Sequence, residues 1–122
     1  MKIPFLKEDF IVARRNSFII LKTFKVLKNC NDQDVNSKLF ELNPILDRAQ
    51  RNYFDLSFKL MSRSEFFRWK LDHQFDEVTS DLIKKLLEEQ DFILDRLSIL
   101  VEKTKCIENL RTEMRLLVYN IR

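Results

Sequence analysis

The chain has 122 residues and no glycine. Glycine supplies positive-φ turns and the close backbone approach that phosphate loops need. Without it, neither a P-loop nor a dinucleotide-binding fingerprint can be written. Helices joined by short polar links are what remains. Alanine, the best helix former, occurs only at Ala13 and Ala49. The helices therefore depend on buried Phe, Ile and Leu rather than on intrinsic propensity.

Other absences narrow the function. The longest apolar runs are four residues, such as Phe18-Ile19-Ile20-Leu21, whereas a membrane span takes about 20. Lys7-Glu8-Asp9 interrupts the start before a signal-peptide core forms. Cys30 and Cys106 have no spacing that argues for a disulfide and read as reduced thiols. The expectation is a soluble, intracellular protein, cytoplasmic or nuclear. His73 is the only histidine, which excludes His-pair metal sites. Carboxylates and cysteines show no ligand spacing either, so no metal and no cofactor are expected.

What is present is apolar and charged in helical order. Hydrophobic residues make up 45% and charged residues 34%, with 11 phenylalanines, the composition of a globular chain. The pattern predicts an all-α fold: one helical domain over 1–122, a bundle of three to four main helices with a long, heptad-patterned C-terminal helix. A first helix over about 5–29 carries Leu6, Phe10, Ala13, Ile20, Phe24 and Leu27 on one face. A basic face of Lys7, Arg14, Arg15, Lys22 and Lys25 runs along it, with Ile11 and Phe18 set among the cations. Residues 1–30 hold seven Lys/Arg against two acids, and residues 61–90 five against seven. This face is expected to meet either the acidic third segment or an acidic partner.

After an Asn/Asp-rich loop at 29–34, a short helix over 35–42 is expected, with Asp34 as its cap. Asn43-Pro44 reads as the start of a new helix, because proline's missing N–H is harmless in a first turn. Over 45–61 this helix has a core stripe of Ile45/Leu46, Ala49, Tyr53, Leu56 and Leu60. It also carries a second apolar line: Phe54, Phe58 and Met61. Beyond a turn at 62–65, Leu71, Phe75, Val78 and Leu82 keep one helical register, and Ile83 opens another. That second seam continues through Leu86, Gln90, Ile93, Leu97, Leu100 and Thr104 to Ile121. The slip places a break or kink at Thr79-Ser80-Asp81 and a final helix over 81–120. The alternative is a turn near Lys103-Thr104-Lys105-Cys106.

No complete catalytic signature is present, so the leading expectation is a non-enzymatic protein–protein interaction module, an adaptor or subunit of a larger complex. It would dock partner helices or self-associate through surplus apolar faces, with Phe54, Phe58, Met61, Leu94, Val101 and Leu117 as contacts. Phe66, Phe67 and Trp69 form an aromatic cluster beside Arg68 and Lys70. Successive helical residues lie about 100° apart, so at least one of these rings points outward as a contact candidate.

Arg68-Trp69-Lys70-Leu71-Asp72-His73 resembles the ribonuclease motif of the HEPN family, arginine and histidine separated by four residues. That resemblance implies an all-helical dimer cleaving RNA, with His73 as acid–base and Arg68 stabilising phosphorane charge. Trp69 stands where the family usually has a polar residue. On a continuous helix the two side chains would lie about 140° apart. A third alternative is nucleic-acid or anionic-surface binding through the basic first helix, with Trp69 stacking on bases.

Overall fold

The computed structural model describes residues 4–61 and 66–104. The described residues form an all-α bundle of three helices: α1 (Lys7–Lys28), α2 (Gln33–Met61) and α3 (Glu77–Lys103), with a 3₁₀ turn at Phe66–Arg68. α1 and α3 run parallel and α2 runs against both. Among the described residues the only β pairing is a single antiparallel bridge, Leu6 to Gln74.

Local chemistry explains the helix ends. At α1, the Leu6 N–H donates to Asp9 Oδ2 at 2.7 Å and the Asp9 N–H donates back to the Leu6 carbonyl at 2.9 Å. The aspartate at the third position thus supplies one half of a capping box, while Leu6, with no side-chain acceptor, takes the Asp9 N–H on its backbone carbonyl. The α1–α2 link turns at Asn31, whose φ of 53° is left-handed. Without glycine, asparagine is the residue best able to take that conformation. Asp32 then caps α2, its Oδ1 accepting from the Asp34 and Val35 N–H groups at 3.0 and 3.2 Å. The cap is therefore Asp32 rather than Asp34.

α2 is one helix of 29 residues with Pro44 inside it, not a short helix followed by a second one. Proline deletes one backbone hydrogen bond. Pro44 and Phe40 are both exposed, so the unpaired Phe40 carbonyl can face water. The burial of Val35, Leu39, Leu42, Leu46 and Ala49 continues across the proline and holds the helix together.

α3 begins earlier than the register slip suggests. Asp76 is its cap, accepting from the Thr79 N–H at 2.7 Å, and Thr79 and Ser80 are buried inside its first turn. Residues 69–76 are not helical, so the apparent register of Leu71, Phe75, Val78 and Leu82 is not a helix face. Phe75 is buried, while Leu71, Val78 and Leu82 are exposed. At its other end α3 stops at Lys103, which corrects the expectation of an unbroken helix to 120. The seam from Ile83 to Thr104 is buried as expected. Its continuation through Ile107, Arg111, Met114, Val118 and Ile121 lies outside the described residues.

The core has two parts. One cluster joins Ile20 and Leu27 of α1, Val35 to Ala49 of α2, and Ile93, Leu97 and Leu100 of α3. The other joins Phe10 and Ala13, Tyr53, Leu56 and Leu60, Ile83 and Leu86, together with Phe66 and Phe75 from the connection. Between them lies a polar waist. Ser17 Oγ donates to Gln50 Oε1 at 2.6 Å, linking α1 to α2. Gln90 Nε2 donates to the Ala13 carbonyl at 2.9 Å, linking α3 to α1. Arg48 Nε meets Glu89 Oε2 at 2.6 Å, linking α2 to α3. Directional bonds between all three pairs at one level fix their axial register, which apolar packing alone specifies less sharply.

Candidate interaction surface

α2 supplies the most conspicuous surface. Its inner stripe is spent in the core, yet Phe54 and Phe58 on its outer side are 60% and 81% exposed. Because α2 is continuous through Pro44, Phe40 falls on the same outer line, 75% exposed. Placing a helix start at Pro44 hides this relation. The unbroken spacing of Val35, Leu39, Leu42 and Leu46 is the sequence signal that reveals it. Asp47 and Arg51 are exposed between the rings. Neither side chain makes a hydrogen bond or ion pair among the described residues. Met61 is half-buried against the second core cluster, with its sulfur accepting from Ser57 Oγ at 3.6 Å.

The other expected contacts fall elsewhere. Leu94 and Val101 are half-buried against the first core cluster, and Leu117 lies outside the described residues. On the opposite flank of α3 from Leu94 and Val101, a groove of about 820 Å³ opens between the first half of α2 and the last half of α3. Leu42, Ile45, Phe92 and Ile99 line it, and Asp34, Lys38, Arg96 and Lys103 lie along it with mixed charge.

The basic face divides. Lys7 is buried, its Nζ donating to the Trp69 carbonyl at 2.9 Å and standing 4.9 Å from the Phe66 ring centre. It is a structural cation and not part of a solvated stripe. Arg14, Lys22 and Lys25 are exposed and Arg15 is half-exposed. Lys22 lies over Phe18 at 5.8 Å. None of these four forms an ion pair with a described carboxylate, Asp72, Asp76 and Glu77 included.

The aromatic cluster divides too. Phe66 is buried, edge-on to Phe10 at 5.6 Å, and Trp69 is half-buried against the same core. Phe67 is the ring that points out. Arg68 and His73 do not share a helix: Arg68 ends the 3₁₀ turn and is exposed, while His73 sits in the following loop. The His73 imidazole stacks on Trp69 at 3.8 Å with its plane inclined by 13°. No hydrogen bond joins Arg68 to His73 among the described residues.

The partners that hold this loop are far from it in the sequence. The Lys7 and Glu8 N–H groups, orphan donors of the first α1 turn, reach the His73 and Leu71 carbonyls at 2.9 and 3.4 Å. The Phe75 N–H donates to the Phe5 carbonyl at 2.9 Å, and the Phe5 N–H to Ser80 Oγ at 3.0 Å. The positive end of α1 is thus closed by carbonyl oxygens. Among the described residues no cluster of His, Cys, Asp or Glu could hold a metal, and no helix is long and apolar enough to cross a membrane. No protein-family model matches this chain, and no curated protein or solved structure matches it significantly.

Proposed function

We propose that this chain is a non-enzymatic helical interaction module, an adaptor or subunit working inside the cell, whose contact surface is the outer face of α2. The observation that carries this reading is the row Phe40, Phe54 and Phe58, each at least 60% exposed on a helix whose opposite stripe already fills the core. Single exposed apolar residues are ordinary, but aligned large aromatics on one helix are typical of a binding face. Phenylalanine has no polar group to gain from solvent, so covering the rings with a partner removes unfavourable water contact.

A photo-reactive benzophenone side chain at position 40 or 58, with a control at exposed Asp95 of α3, tests this in cells. Position 40 and 58 adducts are expected, and Phe54→Ser should reduce them while changing stability by no more than about 0.5 kcal/mol, as for exposed sites generally. Adducts at 40 and 58 no more abundant than at 95 would overturn the assignment.

A further inference from the structure

Six residues, Phe40, Pro44, Asp47, Arg51, Phe54 and Phe58, are exposed along α2. At 3.6 residues per turn they fall within an arc of about 80°. Their order is symmetric about Ala49: Phe40 and Phe58 stand nine residues to either side, Pro44 and Phe54 five, Asp47 and Arg51 two. A surface that meets its own copy across a two-fold axis must be self-complementary in this way.

We propose that the partner covering this face is a second copy of the chain, with the two α2 helices antiparallel and the axis at the level of Ala49. This rests on the outer face of α2 being the docking surface. The arrangement sets each Phe40 level with the partner's Phe58 and each Pro44 level with the partner's Phe54. Each Asp47 carboxylate lies level with the partner's Arg51 guanidinium, so two ion pairs form that are not made among the described residues of the single chain. A parallel pairing sets Asp47 level with Asp47 and Arg51 level with Arg51. Charge thus selects the antiparallel alignment, as like-charge contacts disfavour wrong pairings.

The extent of the face indicates the strength. Phe40 to Phe58 spans about 27 Å of helix. At 60–81% exposure, six rings of 150–250 Å² offer on the order of 850 Å². Prolines and the stems of the charged residues bring the total near the lower bound of specific interfaces, about 1,200 Å². Interfaces of that size belong with weak, transient associations.

Sedimentation velocity of the full chain from about 1 to 500 µM, a range that covers weak association, is the test. The wild-type protein is expected to pass from monomer to dimer. Asp47→Arg and Arg51→Asp, each alone, put like charges at both levels and should weaken dimerisation at least tenfold. Mixed in equal amounts they should recover it, because one chain then carries two arginines and the other two aspartates. Circular dichroism of each variant checks that the helices persist. A wild-type chain monomeric at 500 µM, or a mixture that associates no better than either variant, overturns the self-pairing. If position 58 then still yields adducts with another protein, the docking face stands without the second copy; if it yields none, both readings fall.

Discussion

Gln90 shows how one residue serves specificity at the expense of stability. It is 1% exposed at a seam position of α3, where apolar residues otherwise stand. Its amide nitrogen reaches the Ala13 carbonyl, but its Oε1 accepts no hydrogen bond among the described residues. A buried unpaired acceptor costs about 1–3 kcal/mol. Gln90→Met, close in volume, removes that cost and the single bond together, so urea denaturation should show a gain of about 1 kcal/mol. A loss would mean the Ala13 contact outweighs the unpaired oxygen. Gln90→Ala should instead lower stability, since it adds a cavity to the lost bond. Asn31 works in the opposite sense: its left-handed φ meets at a single residue the turn requirement that a chain without glycine must still satisfy.

At the level of the element, α2 shows tertiary packing overriding a local rule. Proline in a helix interior costs about 3 kcal/mol against alanine, enough to end an isolated helix. Here the buried apolar residues on either side of Pro44 belong to one core cluster, and their burial outweighs one missing hydrogen bond. Pro44→Ala should therefore raise stability by about 1–3 kcal/mol, seen as a higher melting temperature with helix content unchanged. It also takes away a flat apolar contact from the proposed dimer face, so association should weaken modestly as stability rises. A protein destabilised by this change would show that α2 needs the proline's shape more than the hydrogen bond.

The whole molecule is a bundle with unlike ends. Where α1 turns into α2, the link is short and closed by the Asn31 and Asp32 geometry. At the other end the returning chain acts as a lid over the second core cluster, held by the α1 N-terminus and by Lys7. Phe66 and Phe67 separate the roles of adjacent residues in that lid. Phe66 is buried against Phe10 and under the Lys7 ammonium, so Phe66→Ala should cost about 3–5 kcal/mol. Phe67 is exposed, with its ring at a right angle to that of Phe66 and the centroids 5.6 Å apart. Phe67→Ala should cost no more than about 0.5 kcal/mol. Equal losses in chemical denaturation would contradict this division.

The sequence by itself determined the helical class, the inward faces of α1 and α3, and the core stripe of α2 from Leu46 to Leu60. These follow from the spacing of Phe, Ile and Leu, a property of consecutive residues that needs no knowledge of neighbours. It also marked Phe54 and Phe58 as surplus to the core. Tertiary structure alone decided that α2 passes through Pro44, because the compensating contacts come from α1 and α3. It alone decided that Lys7 is buried, since the carbonyl and the ring that hold it are about sixty residues away in the chain. The loop carrying His73 likewise leaves helical geometry because the donors that bind its carbonyls belong to the first turn of α1. Periodicity reports which residues are buried, but a backbone's choice between helix and loop also depends on which distant hydrogen-bond partners the fold brings to it.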